Sequence, residues 1–495
     1  MKGIRKALLL ATSDRYFTLV VNFVSIIIVS RLLAPEEVGL AVVGGAIASM
    51  WFRLREFATT NFIVQHGEIT RDDVRATFTV LFCLSAVLSG VLFVAAPWVA
   101  HAYGKDGLTM LLRVTAIAVF LDVFGAPNLA LFRRELGFGK VALVNVTGAA
   151  LTAGVTIALA SLGFSYMSFA WAQLIATIGG GFLAFFLRPD LGVFCPSIKK
   201  WRATTTFGTY NGVNVLLYGI YESLPYLIVG KFISVEAAGL YGRSISICQI
   251  PDKIFMGGVI AVALPALSFQ VREGADVKAS YLRAIEHITA VQWPAYAIVC
   301  ILAHPVVSIV LGAQWLAVVP LVQLIALSYM FAFSAELNYP LLIALGGFRD
   351  VLTRGFIVWP ISAAIILVSS FFGLTAVAFS LWVTMALNAY VSIYFVQRRL
   401  TLKWGDIAAA LMKSFAATLF AAAGALSVIA AAGMRFDLPI SLAVLAGVVG
   451  LIGWSLGLRV TGHPLLQEIV GALDSVHRFL LGNHIFGRML AKRDS

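Results

Sequence analysis

ATFTVLFCLSAVLSGVLFVAAPW, residues 76–98, is the stretch whose reading decides the fold. It runs twenty-three residues without a charge. As an α-helix rising 1.5 Å per residue it spans ~35 Å, enough to cross a hydrocarbon core about 30 Å thick. Peptide N–H and C=O groups find no water in that core, so a chain crosses it either as helices or as a closed barrel. Barrel strands would be ~10 residues of alternating polarity, and this run does not alternate. Similar runs recur along all 495 residues, of which 60% are hydrophobic and 12% charged, at a mean hydropathy of +0.93. The chain therefore reads as an all-α polytopic membrane protein.

Working outward, apolar runs bounded by charge, Gly and Pro place helices near residues 14–33, 38–58, 74–98, 108–131, 139–161 and 167–187. Six more fall near 205–232, 237–265, 281–304, 317–346, 353–372 and 376–397, and a last pair near 407–431 and 439–460. The expectation is fourteen transmembrane helices, as two six-helix lobes (1–190 and 205–398) plus an additional helix pair (399–460). A polar, basic linker with Pro196, Lys199, Lys200 and Arg202 occupies 191–204 between the lobes. After Gly462, Leu465, Leu466, Ile469, Leu473, Val476 and Leu480 recur at helical spacing, with Glu468, Asp474 and Arg478 between them. Residues 461–495 read as an amphipathic cytoplasmic tail lying at the membrane surface.

The net charge of +12 would suggest nucleic-acid binding in a soluble protein. Here the basic residues sit in short segments between apolar runs, where they set topology and meet lipid headgroups, and no nucleic-acid partner is expected. Of the 36 Lys and Arg, 28 fall on the side that holds the amino terminus. Five (Arg31, Lys105, Arg113, Lys231 and Arg435) fall on the other, and Arg243, Lys253 and Lys413 lie within helices. The basic excess marks the cytoplasm, so both termini are expected there. Lys2, Arg5 and Lys6 precede an apolar stretch that Asp14 and Arg15 interrupt before any cleavage site, which argues against a signal peptide. Cys83, Cys195, Cys248 and Cys300 lack metal-ligand spacing, so neither a disulfide framework nor a metal is expected.

A shift of 200 residues lays IIVSRLLAPEEVGL, Ile27 to Leu40, on LIVGKFISVEAAGL, Leu227 to Leu240. Five of the fourteen positions are identical (Ile28/Ile228, Val29/Val229, Glu36/Glu236, Gly39/Gly239 and Leu40/Leu240), and Arg31/Lys231 keeps its charge. Both copies join the first and second helices of a lobe, as a duplication would have them. Lobes with even helix numbers share one orientation, an arrangement suited to alternating access around a midplane site.

Charges within spans are costly, by ~2.5–3.5 kcal/mol on insertion scales, and so usually face a cavity or a partner. Arg53, Arg55, Arg113, Asp122, Glu222, Arg243, Asp252, Lys253 and Glu336 are the candidate lining of a central cleft. Their chemistry suits an anionic headgroup, with the guanidinium and ammonium groups on phosphate and the acids on sugar or as counter-charges. The plainer alternative is that Arg53 and Arg55 snorkel to the interface and that Asp252 pairs with Lys253 near a helix end. Tyr210, Tyr218, Tyr221 and Tyr226 suit sugar stacking or a packed core. Pro127, Pro225, Pro294, Pro340 and Pro360 are expected to kink their helices. No GxxxxGK[ST] loop, nucleophile elbow or HExxH motif is present, and the outward loops are too short for a catalytic domain, which points away from an enzyme.

SRLLAPEEVGL (30–40), AAGLYGRSISICQIPDKIF (237–255), VALPALSFQ (262–270) and the 6 + 6 + 2 helix plan resemble the Wzx-type polysaccharide flippases of the MOP superfamily, over essentially the whole chain. The resemblance implies translocation of undecaprenyl-pyrophosphate-linked oligosaccharide repeat units across a bacterial inner membrane for exopolysaccharide, O-antigen or capsule assembly. It further implies a headgroup held in a basic cleft, a monomer without cofactor, and partners among membrane lipids and a polysaccharide polymerase or co-polymerase. A cation-coupled MATE-type small-molecule exporter is the alternative; the extra helix pair and the added Lys and Arg argue against it.

Overall fold

The structure is a computed structural model that describes residues 2–56, 60–65, 69–197 and 201–471, with side chains described over most of that range. The described residues are 87% helix, with no strand among them. In order come α1 (Lys2–Leu32), α2 (Pro35–Glu56), α3 (Thr60–Gln65), α4 (Arg71–Tyr103), α5 (Gly107–Leu121), α6 (Ala126–Arg134), α7 (Phe138–Ser161) and α8 (Met167–Leu187). They continue with α9 (Trp201–Phe232), α10 (Val235–Cys248), α11 (Ile250–Arg272), α12 (Val277–Ile301), α13 (Ala303–Val310), α14 (Val319–Ser328) and α15 (Phe333–Ala344). The last four are α16 (Phe348–Ser370), α17 (Leu374–Leu400), α18 (Trp404–Ala431) and α19 (Ile440–Val460).

Ten helical segments among the described residues are long and apolar enough to cross a membrane, and α12 with α13, broken at Leu302, makes an eleventh if taken as one span. The all-α multi-pass architecture expected from the apolar runs is therefore present. Several expected continuous helices are interrupted. The run 108–131 breaks at a 3-10 turn, Asp122–Phe124, just ahead of Pro127. The run 237–265 breaks at Gln249, just ahead of Pro251, and the run 317–346 carries a 3-10 turn at Tyr329–Phe331. Proline has no N–H to donate and its ring collides with the carbonyl four residues back, so a new helix starts readily with Pro in its first turn. Pro225, Pro294, Pro340 and Pro360 lie inside helices that continue through them.

The chain divides into two compact units, one of residues 1–254, 306–325 and 349–387, the other of residues 255–305, 326–348 and 388–495. In the first, α4 opens with a capping box in which the Asp73 amide donates to Thr70 Oγ1 at 3.3 Å and the Thr70 amide to Asp73 Oδ2 at 2.8 Å. Arg75 Nε donates to the Gly192 carbonyl at 2.8 Å, tying the segment after α8 to the start of α4.

In the second unit α12, α18 and α19 form a bundle. A Cβ built on Gly457 would lie 2.7 Å from Ala417 Cα, so glycine lets α19 approach the α18 backbone closely, as helices do in lipid where packing rather than water drives association. Trp454 Nε1 donates to the Ala290 carbonyl and Thr289 Oγ1 to Ser414 Oγ, at 2.7 and 2.9 Å. The chain beyond α19 continues this packing: Leu465, Leu466 and Ile469 lie against Ala290, Ala417 and Leu458. Leu473, Asp474, Val476, Arg478 and Leu480 of the expected tail lie outside the described residues.

His463 locks this corner. It is 1% exposed, its Nδ1 accepts from the Leu465 amide at 3.1 Å, and its Nε2 lies 3.3 Å from Ser414 Oγ and 3.9 Å from Glu286 Oε1. Burial holds the imidazole below its ordinary pKa of 6.5; Glu286 opposes the shift, and His287 and Lys413 add to it. The folded state binds this proton less tightly than the unfolded chain. The stability it contributes is thus fully present above about pH 6.5 and declines as pH falls through the lower folded-state value. Between about pH 7.5 and about pH 5.5, wild type should lose more thermal stability in detergent than His463→Gln, which cannot titrate. Parallel losses would show that His463 does not carry the effect.

Candidate functional site

The candidate site is an open cavity of about 360 Å³ lined by α2, α9 and α10. Three- and four-residue spacing builds each wall: Gly45, Ser49 and Arg53 from α2, Glu222 and Tyr226 from α9, Gly242, Ser246 and Gln249 from α10 and the break that follows it. Residues four apart share a helix face, so polar groups on these three helices converge while their other faces stay apolar. All three helices are less apolar than α7, α8, α18 and α19.

Arg53 Nη2 meets Glu222 Oε2 at 2.5 Å, and the Arg53 guanidinium lies 5.6 Å from the Tyr218 ring centre. A turn away, Ser49 and Ser223 hydroxyls hydrogen-bond at 2.9 Å, while Ser223 also donates to the Gly219 carbonyl at 3.0 Å. Tyr226 packs edge-on against Tyr241, ring centres 5.5 Å apart. Tyr221 stacks on Trp359 at 6.4 Å. Within the described lining the charges of Arg53 and Glu222 compensate, so the cavity wall holds a closed ion pair beside hydroxyl and amide groups.

Two neighbouring cavities share residues with this one. A cavity of about 320 Å³ shares Gly45 and Ser49 with it and is also lined by Thr115, Thr152, Thr156 and Gln173. One of about 510 Å³ in turn shares Thr152 and Gln173 and contains Asp14 and Asp122. In the latter, Asn145 Nδ2 donates to Asp14 Oδ2 at 2.9 Å.

Of the nine charged candidates, the structure brings Arg53 and Glu222 together. Asp122 lines the 510 Å³ cavity. Arg113 lies 5.1 Å from the Phe93 ring centre and lines none of these three. Arg243 is buried next to the cavity but turned from it, its guanidinium 5.7 Å from the Trp315 ring centre. Asp252 and Lys253 occupy the first turn of α11, below Gln249. The side chains of Arg55 and Glu336 lie outside the described residues, as does that of Tyr210. Reading charges alone missed Ser49, Ser223, Ser246 and Gln249, although the four-residue spacing of Ser49 from Gly45 and Arg53 and of Ser246 from Gly242 was present in the sequence.

Comparisons with known proteins agree with this architecture. Residues 28–320 match the family described as "Polysaccharide biosynthesis protein". The succinoglycan biosynthesis transport protein ExoT of Rhizobium meliloti (strain 1021) is 23% identical over 313 residues, 62% of this chain and 62% of that protein. Among solved structures, lipid II flippase MurJ in an inward closed conformation superposes with a TM-score of 0.73 at 12% identity, covering 91% of this chain and 99% of that one. An inward-facing multidrug resistance MATE transporter of the MOP superfamily superposes with a TM-score of 0.65 at 16% identity, covering 78% and 94%.

The Arg53–Glu222 pair is partly exposed, its side chains 33% and 47% accessible, and such pairs contribute at most about 1 kcal/mol. Arg53→Ala or Glu222→Ala should therefore lower stability in chemical denaturation by less than about 1 kcal/mol, and the swapped R53E/E222R should match wild type. A loss of several kcal/mol would mean that the pair holds α2 on α9.

Proposed function

The chain belongs to the polysaccharide biosynthesis protein family, and we propose that it is a flippase moving undecaprenyl-pyrophosphate-linked oligosaccharide repeat units across a bacterial inner membrane. The observation that carries the reading is the Arg53–Glu222 pair in the wall of a hydroxyl-lined cavity. A pyrophosphate oxyanion is a stronger acceptor for guanidinium than a carboxylate in the same place, because it offers more charge and more oxygens in a fork that matches the donors. An arriving headgroup displaces Glu222 from Arg53, and the pair closes again when the headgroup leaves. Ser49, Ser223, Ser246 and Gln249 are donors and acceptors for sugar hydroxyls, and Tyr226, the tyrosine in the cavity wall, offers ring surface to sugar C–H groups. The relative ExoT is named as a transport protein, and the reaction requires no bond to be made or broken by this chain.

In this reading the helical segments form fourteen crossings. They are α1, α2, α4, α5 with α6, α7, α8, α9, α10 with α11, α12 with α13, α14 with α15, α16, α17, α18 and α19. Residues 1–190 and 205–398 are the two lobes and 399–460 the additional pair. The Lys and Arg asymmetry supports cytoplasmic termini, which places the end of α1 and the start of α2 on the outer side.

Cells lacking the gene should accumulate lipid-linked repeat units on the cytoplasmic face, and wild type on a plasmid should relieve that accumulation. Arg53→Ala and the swap R53E/E222R, both expressed at wild-type level, should leave it in place, because in either case an acid or nothing stands where the phosphate needs a cation. Normal sidedness in the deletion strain would overturn the proposal, and a fully active swap would remove Arg53 from the substrate's path.

A further inference from the structure

The two copies of the repeat meet. A Cβ built on Gly39 would overlap the Val235 carbonyl oxygen, and one built on Gly239 would overlap the Pro35 carbonyl oxygen and lie 2.9 Å from the Gly39 nitrogen. The 200-residue shift turns Pro35 into Val235 and Gly39 into Gly239, so the two contacts are one contact written twice. α2 and α10 thus cross at their first turns about a local pseudo-two-fold axis, and only a residue without a side chain fits at either glycine.

The same exchange governs the polar groups around the crossing. Arg31, at the end of α1, donates to the Ile309 carbonyl in the last turn of α13 at 2.7 Å. Its counterpart Lys231, at the end of α9, donates to the Ala102 carbonyl in the last turn of α4. In return, Trp315 Nε1 and Gln314 Nε2, just after α13, donate to the Ser30 carbonyl at 2.7 and 2.5 Å. Tyr103, at the end of α4, donates its hydroxyl to the Leu227 carbonyl at 3.1 Å. Each copy therefore sends a cation to a helix C-terminus, where the helix dipole favours positive charge, and receives a side-chain donor on its own backbone from beside that helix end.

The crossing sits directly over the cavity. Val42 and Gly242, three residues beyond the two glycines, are both in its wall, and Arg53 lies fourteen residues along α2 from Gly39, ~21 Å at helical rise. We propose that this duplicated crossing is the outer seal of the transport path, held shut by Gly39 against Val235, Gly239 against Pro35 and the paired Arg31 and Lys231 bonds, and parting as a unit to release substrate. The proposal rests on the transport reading for its sidedness. A close glycine contact gives a closed state with no gap for water, while hydrogen bonds to partly solvated carbonyls contribute modestly and break singly at small cost. The symmetry matters because both halves of the seal lose their bonds in the same motion.

The test reads access to the cavity from each side. In a full-length variant whose native cysteines are replaced by serine, Ala46→Cys places a thiol in the cavity wall. A membrane-impermeant maleimide then labels it in right-side-out or inverted membrane vesicles. With the seal intact, labelling from the outer side should be slow. R31A/K231A should raise that rate by about tenfold, since two of the bonds that bias the closed state are lost. Gly39→Leu, and independently Gly239→Leu, should raise it further by propping the crossing apart. R31A/K231A removes only exposed side chains, so it tests the seal even if the leucine variants fail to fold. Unchanged outer labelling in R31A/K231A would overturn the proposal. Faster labelling confined to inverted vesicles would leave a seal at the crossing but overturn its assignment to the outer side. Faster outer labelling in a protein whose deletion leaves lipid-linked sugars with normal sidedness would support the seal while the flippase reading fails.

Discussion

Every peptide group that enters hydrocarbon has to find its hydrogen-bond partner within the chain, and this constraint governs the rest of the structure. It makes the described residues helical nearly throughout. It also dictates where a helix is allowed to stop. Irregular backbone at membrane depth is tolerated where it is packed in protein or lines a cavity, and two of the breaks do so: Gly125, after the turn at Asp122–Phe124, lines the 510 Å³ cavity, and Gln249, between α10 and α11, lines the 360 Å³ cavity. The breaks are therefore part of how polar volume is opened inside an otherwise apolar bundle.

The same economy applies to charge. Arg53 and Glu222 are tolerated because they neutralise one another beside polar hydroxyls, and Arg243 because its guanidinium lies over the Trp315 ring. Trp315 in turn hydrogen-bonds the Ser30 carbonyl, so the buried Arg243 is packed into the group of contacts at the α2–α10 crossing. A residue singled out as a headgroup contact for its charge alone thus occupies a position where it supports the crossing, one helix face away from the cavity wall.

The repeat connects these features. A match of five positions in fourteen is modest as sequence evidence of duplication, yet the structure gives the shared glycines one reciprocal job and the shared cations another. Glycine at 39 and 239 is explained by backbone carbonyls that leave no room for a methyl group. Arg31 and Lys231 need only retain a cation that reaches a helix C-terminus, which accounts for charge being kept while residue type is not.

What the sequence determined by itself follows from averages over many residues. Apolar runs long enough to cross a membrane make the chain helical and multi-pass, because no other backbone arrangement with runs of this kind satisfies its amides in lipid. The family was legible from SRLLAPEEVGL and AAGLYGRSISICQIPDKIF. The site was legible only in part. Charge in an apolar run pointed to Arg53 and Glu222 but equally to Arg113 and Arg243, since rarity in the membrane does not say which face of a helix a side chain occupies. Only tertiary structure decided that Arg53 meets Glu222 across 169 positions of sequence, that Arg243 turns to Trp315, and that serines with no individual signal complete the wall. Such pairings depend on the rotation of each helix about its axis and on which helices become neighbours, and both are set by packing between segments far apart in the chain.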